Sequence, residues 1–207
     1  MWMERIKKTY QSDVPIFTDD LLSLYPDFTK AYVFRMLREA EEKGEIIRFS
    51  RGVYYLPKET LLGVSRITAR MVAQSKYVES QRGVYGLYSG LTLLNRFALS
   101  SQIPNVLEIV TNHEPTRKRT VSIKGMQFVL RRSRFPINKE NVGCYTLLEL
   151  FSEIGDAPSI EGVSKALIKA YMKENHVSPD QLLRFAGDFP RRALKNLVSS
   201  GVLDGTI

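Results

Sequence analysis

The side chains best placed to do chemistry are two clusters of basic residues that flank the segment 120–130. They are Arg117, Lys118 and Arg119 before the segment, and Arg131, Arg132 and Arg134 after it. Six like charges gathered together repel one another unless an anion or an acidic surface compensates them. We interpret the clusters as a surface for nucleic acid or an acidic partner. A merely solvated loop is the alternative.

The segment between the clusters positions these charges. Its alternating apolar and polar residues predict a β-hairpin that turns at Lys124 and Gly125. The two outer ends of a hairpin lie side by side, so we expect all six charges on one edge. Residues 105–111 are apolar on both faces, which predicts a central strand.

A third basic element comes before the hairpin. Residues 61–75 have helical spacing, which predicts a helix with Arg66 and Arg70 on a shared face. We assign these two arginines and Lys124 to the same basic surface as the clusters, with DNA binding or binding of a protein partner as its role.

The positive charge of the chain is concentrated in its middle. The 207 residues carry 30 Lys and Arg against 22 Asp and Glu, a net charge of +8. The two signs balance within residues 1–57, whereas residues 108–135 hold seven basic and two acidic residues. Such an excess indicates an anionic partner, most commonly nucleic acid.

Composition excludes several classes of function. A hydrophobic share of 43% with 25% charged residues is typical of a globular protein with one or two domains. Cys144 is the only cysteine, which excludes an internal disulfide and a cysteine-based zinc site. The histidines, His113 and His176, lie in unrelated contexts, so we expect no metal and no cofactor. Without a long apolar run or a signal peptide, the chain is expected to be cytoplasmic, with no membrane partner.

The first sixty residues have the element order of a winged helix-turn-helix. Helical spacing is followed by two short strands within residues 45–56. Thr18 and Thr29 are predicted helix N-caps, and Gly44 ends the third helix. In this motif the third helix enters the major groove of DNA. Winged helices also serve as protein–protein modules, which is the alternative interpretation.

The third helix of this unit has an apolar stripe and a polar side. Val33, Met36, Leu37 and Ala40 share the stripe that we expect to face the core. We predict that the residues near the helix start and opposite the stripe face the groove, and that two hairpin arginines contact phosphates. The predicted DNA-binding residues are Thr29, Lys30, Tyr32, Arg35 and Arg38 on the helix, with Arg48 and Arg51 on the wing.

No group of residues supports catalysis. Gly83, Gly86 and Gly90 lack the spacing of a phosphate loop and predict a tight strand-to-helix junction, with Ser89 as the helix cap. Ser89 has no evident histidine partner, and Cys144 is expected to be a core thiol. We therefore predict no catalytic residues and a protein that is not an enzyme.

The tail of the chain has helical patterns over 144–155, 159–175, 178–187 and 190–200. Ser159 and Ser178 are plausible caps. The spacing of Leu21, Leu22, Asp27 and Phe28 recurs at Leu182, Leu183, Asp188 and Phe189. This recurrence predicts either a second, degenerate helix-turn-helix or a chance match of helix-packing residues.

Three segments of the chain resemble AbiEi-family antitoxins. They are Tyr77–Ser80 with Gly86–Asn95, then Pro104–Asn112, and Arg131–Asn138 with the helix that begins near Thr146. With the predicted winged helix, the resemblance covers nearly the whole chain. It implies an autorepressor that binds inverted repeats at its own promoter and also neutralises a toxin.

Further properties follow only from this resemblance. The toxin is expected to be similar to a nucleotidyltransferase. The pair is expected to be of type IV, in which antitoxin and toxin form no stable complex, and to act in abortive phage infection. The partners are thus double-stranded promoter DNA and, functionally, the toxin. A monomer in solution that binds DNA cooperatively is compatible with this interpretation.

We therefore predict an α+β fold with two domains. Residues 1–60 form the winged helix-turn-helix. Residues 61–207 form an antitoxin domain, with a basic strand and hairpin part in 61–135 and a helical part in 136–207. The alternative function is a nucleic-acid-processing enzyme or an RNA-binding protein that uses the central basic hairpin.

Overall fold

The computed structural model describes residues 2–61, 63–155, 160 and 162–203. Helices make up 44% and strands 20% of the chain, which confirms the predicted α+β class. The chain divides after Ser75 into two compact units, so residues 61–75 belong to the first unit. No helix in the described ranges is both long and apolar enough to cross a bilayer.

The first unit contains three helices and five short strands, and a fourth helix starts near its end. In chain order these are α1 (Trp2–Thr9), β1 (Ile16–Phe17), α2 (Thr18–Leu24), α3 (Lys30–Glu42), β2 (Ile47–Ser50), β3 (Val53–Tyr55), β4 (Glu59–Thr60), β5 (Gly63–Val64) and α4 (Ala69–Tyr77).

The predicted hairpin of β2 and β3 is confirmed, and it gains a third strand. The order in the sheet is β1-β3-β2, with Ile16 opposite Tyr54 and Phe17 opposite Val53. We did not predict β1, because two residues are too short to show an alternating pattern. The core of the unit is built from residues of all three helices and the strands, with Ile6, Leu21 and Leu37 almost fully buried.

Local hydrogen bonds decide where two predicted helices begin. The cap at Thr29 is confirmed, because its hydroxyl accepts from the backbone N–H of Tyr32 at 3.3 Å. The cap at Thr18 is wrong: Phe17 is the N-cap, and Asp20 accepts from its N–H at 3.4 Å. A helix over 61–75 is also wrong for its first half, where the Thr60 hydroxyl donates to Gly63 O at 2.6 Å and closes the β4–β5 turn.

The second unit places a four-stranded sheet beside helices. Its elements are β6 (Glu79–Ser80), β7 (Gly83–Val84), β8 (Gly86–Ser89), α5 (Gly90–Arg96), β9 (Leu107–Thr111), β10 (Lys118–Ile123), β11 (Met126–Arg132), α6 (Val142–Glu153), α7 (Gly162–Glu174), α8 (Pro179–Ala186) and α9 (Arg191–Ser199).

The sheet order is β10-β11-β9-β8. β9 is flanked on both sides, as predicted for a central strand, and it runs parallel to β11 and antiparallel to β8. The predicted hairpin is also confirmed. Lys124 and Gly125 both have positive φ, 49° and 85°, which matches the tight two-residue turn that the twist of paired strands favours.

Helix α6 is the centre of the second unit. Its residues 143–152 are all buried, and it packs against β8, α5, α7, α8 and α9. The four helices predicted in the tail are confirmed to within a few residues, as is the Ser178 cap, which accepts from Gln181 N at 3.2 Å. The predicted cap at Ser159 lies outside the described residues.

The recurring motif gives two helix pairs that differ in exposure at two positions. One is the second leucine, since Leu22 is half-buried and Leu183 is 51% exposed. Leu21 and Leu182 are both fully buried in the first helix of their pair. Phe189, however, is 6% exposed in the core of the second unit, whereas Phe28 is 44% exposed. The shared spacing therefore reflects helix packing at the first leucine but not at the second leucine or at the phenylalanine.

Candidate nucleic-acid interface

Helix α3 presents a continuous polar face. Val33, Leu37 and Ala40 are buried against the core, as their spacing predicts, whereas Met36 of the same predicted stripe is only half-buried. The five residues predicted to bind DNA from this helix and its cap are all exposed: Thr29, Lys30, Tyr32, Arg35 and Arg38. The ion pair of Arg35 with Glu39 is exposed and 3.8 Å long, so it leaves the guanidinium accessible to another anion.

Aromatic rings extend this face at the start of α3. The ring of Phe28 lies 4.8 Å from that of Tyr32, and the Arg35 guanidinium lies 4.9 Å from the Tyr32 ring centroid. Phe28 also stacks on Tyr25 at 5.6 Å. We did not predict from the sequence that Phe28 is part of this surface. Its position in the turn between α2 and α3, just before the proposed DNA-binding helix, could have indicated it. The polar face is thus bordered by exposed apolar surface.

The two predicted wing arginines are exposed on the β2–β3 hairpin. Arg48 lies on β2 opposite Tyr54, and Arg51 lies in the turn that joins the strands. Both belong to the same compact unit as α3.

Arg66 and Arg70 do not share a helix face. Arg66 lies in the loop after β5, near Tyr55, and Arg70 in the first turn of α4. Burial raises the pKa of Tyr55, and the positive charge of Arg66 acts against that rise. The expectation of a common helical face for these two arginines is therefore wrong, because the helix begins only at Ala69.

The basic residues around the hairpin do not form one uniform cluster. Lys118 and Arg119 are exposed on β10, and Lys124 is at the opposite end of the hairpin, in its turn. Arg119 makes an ion pair of 2.9 Å with Glu114, whose side chain is fully buried. Burial alone would raise the pKa of Glu114, but hydrogen bonds from Thr116 and Arg119 outweigh burial and lower it.

Arg131 belongs to a largely buried ionic cluster. Its guanidinium contacts Glu149 and Glu153 on α6, with the second contact at 2.9 Å, and lies 3.7 Å from Glu108 on β9. The Ser89 hydroxyl donates to Glu149 at 2.7 Å and accepts from Arg131 at 2.6 Å. Ser89 is thus the N-cap residue of α5 by position, but its hydroxyl bonds to this cluster instead of capping the helix.

The charges in this cluster depend on each other. Burial raises the pKa of Glu149, and Arg131 and Ser89 only partly offset the rise. Burial would lower the pKa of Arg131, but Glu149, Glu153 and Glu108 outweigh burial and raise it. Arg131 therefore holds β11 against α6 and differs in role from the exposed arginines that follow it.

Three arginines lie together at the outer end of the hairpin. Arg117, Arg132 and Arg134 line an open groove of about 750 Å³, together with Asn112, Ser133, Phe135, Pro136 and Asp188. Of the six clustered basic residues, these three remain close to one another and face a common space.

Other reactive groups have structural surroundings. Burial raises the pKa of the Cys144 thiol, which lies in the core as expected. His113 stacks on Tyr85 at 4.2 Å, and its Nδ1 lies 2.9 Å from Lys76 O. Within the described residues, no three His, Cys, Asp or Glu side chains group as metal ligands would.

No protein-family model and no curated protein matches this chain.

Proposed function

We propose that this chain is a double-stranded-DNA-binding protein whose first unit is a winged helix-turn-helix. The exposed polar face of α3 is the observation that carries the proposal. Arg35 and Arg38 point away from the buried stripe of Val33, Leu37 and Ala40, so both guanidiniums are accessible to a ligand. An α-helix fits the major groove, where an arginine can donate two hydrogen bonds to one guanine.

The hairpin next to α3 supports the same function. Arg48 and Arg51 are exposed on β2 and its turn, where a wing would contact the DNA backbone. Such contacts carry no base information, but they strengthen binding and make it depend on salt. Residues 1–57 carry no net charge, and Glu39 lies on the same face of α3 as Arg35. Binding to DNA would therefore require Arg35 to exchange this exposed ion pair for a contact with the DNA.

The biological role that we propose rests on the resemblance to AbiEi-family antitoxins. In that role the chain represses its own promoter by binding inverted repeats. It also neutralises a nucleotidyltransferase-like toxin without a stable complex, as a type IV antitoxin in the cytoplasm. The winged helix accounts for repression, and the second unit accounts for neutralisation.

Binding to the DNA just upstream of the chain's own reading frame tests the first half. Fluorescence anisotropy with the full-length chain would compare this duplex with a scrambled duplex of equal length. Arg35→Ala and Arg38→Ala should each weaken specific binding by about 1–3 kcal/mol if the arginine contacts a guanine. Lys8→Ala on α1 is the matched control, since it removes one exposed positive charge outside the proposed interface.

The results separate the alternatives for this unit. Preference for the upstream duplex that is lost in the α3 variants and kept in Lys8→Ala supports the proposal. Equal affinity for both duplexes, unchanged by the α3 substitutions, would instead make the unit a protein-binding module. Cleavage of labelled nucleic acid after addition of Mg²⁺ would favour the alternative of a processing enzyme.

Neutralisation needs a separate assay in cells. Co-expression with a nucleotidyltransferase-like toxin should restore growth, and the Arg35→Ala, Arg38→Ala double variant should protect equally well while losing promoter repression. Loss of protection in that variant would contradict the division of roles between the two units.

A further inference from the structure

We propose that the groove lined by Arg117, Arg132 and Arg134 binds the phosphate groups of a nucleotide. The groove lies entirely in the second unit, at the end of the β10–β11 hairpin away from the Lys124–Gly125 turn. This inference does not depend on DNA binding by α3, and it concerns a ligand that the proposed repressor function does not require.

The backbone sets two of the arginines directly beside each other. Lys118 is paired with Arg131 in the hairpin, and the next pair along the strands is Arg117 with Arg132. Arg132 N donates to Arg117 O at 3.3 Å, which fixes this pairing. Like charges directly opposite each other on neighbouring strands are destabilising. An anion between the two guanidiniums removes that repulsion.

These three arginines make no direct ion pair with a carboxylate in the part of the chain that the structure describes, in contrast to the neighbouring Arg119 and Arg131. Arg132 donates to Pro115 O at 3.3 Å, and the Arg134 guanidinium lies 5.1 Å from the Phe189 ring centroid. Both contacts orient the side chain and leave several N–H donors for a ligand.

The loop that carries Arg134 is held in place. Asn112 accepts from the Ser133 hydroxyl at 2.9 Å and from Ile137 N at 2.8 Å. Arg134 N donates to the Tyr145 hydroxyl at 2.8 Å. A guanidinium on an ordered backbone loses less entropy on binding than one on a mobile loop. The backbone on this side of the groove is therefore held in place without a ligand.

The chemistry of the groove selects the ligand. Three guanidiniums facing one space favour an anion with several charges, and arginine binds phosphate oxygens through paired hydrogen bonds. The volume of about 750 Å³ is within the range of small-molecule sites, roughly 300–1,000 Å³. Phe135 and Pro136 add an apolar wall that suits a sugar or base. A nucleotide polyphosphate fits these features best.

One carboxylate opposes the binding of an anion. Asp188 lines the groove, and its charge would repel a phosphate. Its removal should therefore tighten binding, which is a change in the opposite direction from removal of an arginine. A purely structural groove would show neither effect.

The test measures binding of ATP and of inorganic pyrophosphate to the full chain by calorimetry at low salt. Arg117→Gln, Arg132→Gln and Arg134→Gln should each weaken binding by about tenfold, the effect of losing a hydrogen bond to a charged group. Asp188→Asn should tighten it by about two- to fivefold. Lys173→Gln is the matched control. It removes one exposed positive charge in the same unit, at the end of α7 and outside the groove.

The outcomes show whether the groove binds phosphate groups and, if it does, whether they belong to a nucleotide or to a nucleic-acid backbone. If neither ATP nor pyrophosphate binds, the nucleotide proposal is overturned. Loss of affinity for duplex DNA in the three glutamine variants, but not in Lys173→Gln, would then assign the groove to a nucleic-acid backbone instead. If the glutamine variants leave the binding of every ligand unchanged, the proposal is overturned.

The repressor proposal fails independently of this one. The Arg35→Ala, Arg38→Ala double variant should lose operator binding and keep ATP binding, because its substitutions lie in the other unit. If the wild-type chain shows no preference for the upstream duplex, the DNA-binding proposal for α3 is rejected. The proposal for the groove is not affected by that result.

Discussion

The guanidinium of Arg131 on β11 contacts the carboxylate of Glu149 on α6, and this pair fastens the sheet to the central helix of the second unit. Glu149 is 2% exposed and Arg131 is 26% exposed, so the pair is largely shielded from water. Arg131 is therefore occupied by this contact, whereas its neighbours Arg117, Arg132 and Arg134 face the groove and are available to a ligand.

Loss of Arg131 should destabilise the second unit more than loss of any of these neighbours. Arg131→Met leaves the buried Glu149 without its partner, which typically costs about 3–5 kcal/mol. Urea denaturation would measure the loss. Arg132→Met is the control, because its side chain is exposed and its removal should change stability by no more than about 0.5 kcal/mol. Equal effects of the two substitutions would show that the ionic cluster does not stabilise the fold.

Gly86 should not tolerate any side chain. A methyl group at this position would overlap the backbone oxygen of Tyr77 and lie 2.7 Å from Val110 O. Val110 lies on β9 opposite Leu87 of β8, and Val78, next to Tyr77, accepts hydrogen bonds from Tyr85 N and Gly86 N. Movement of either backbone oxygen would disturb these bonds. Gly86→Ala should therefore prevent stable folding of the second unit, as seen by circular dichroism and proteolysis. Gly187→Ala should be neutral, since a Cβ there meets no atom within 4 Å.

Tyr145 should make stability fall at alkaline pH. Burial raises its pKa to about 12. An unfolded tyrosine titrates near pH 10, so between about pH 10 and 12 the unfolded state releases a proton that the folded state retains. Stability is full below this window and falls as pH rises through it, by roughly 2–3 kcal/mol.

The Tyr145→Phe variant isolates this effect. It loses the hydrogen bond to Arg134 N at all pH values, but it has no proton to release at this position. In urea titrations at about pH 8 and pH 11, wild type should lose more stability between the two conditions than the variant does. Parallel losses would assign the alkaline sensitivity to other groups.

The wing arginines should affect salt dependence and leave sequence preference unchanged. If Arg48 and Arg51 contact phosphates, Arg48→Gln and Arg51→Gln should each reduce the slope of log affinity against log salt by about 0.9. The ratio of affinities for the upstream and scrambled duplexes should stay the same in both variants. A change in that ratio would mean that the wing reads bases.

Features with a strong local pattern could be predicted from the sequence. The β10–β11 hairpin, its turn at Lys124 and Gly125, and the N-cap at Thr29 are encoded by residues close together in the chain. The prediction failed at residues 61–68, where helical spacing of apolar residues was outweighed by the local hydrogen bond from Thr60. A spacing pattern does not include such bonds.

The candidate sites depended on contacts between distant residues. In the sequence, Arg131 is one of six similar basic residues. The residues next to it do not indicate that Glu149 is its partner. The signal was on the helix: Glu149 and Glu153 lie four residues apart within an apolar segment, which indicates a buried cation nearby. The groove of Arg117, Arg132 and Arg134 required the structure, because the Asn112–Ile137 contact shapes it across 25 residues.

The burial of α6 on all sides has a consequence for synthesis on the ribosome. The helix is covered by β8 and α5, which precede it in the chain, and by α8 and α9, which follow it. Asn196 on α9 donates to Phe151 O, so the cover is completed close to the end of the described chain. The first unit can fold while translation continues. Part of the apolar surface of α6 therefore stays uncovered until α9 has been synthesised and has left the exit tunnel.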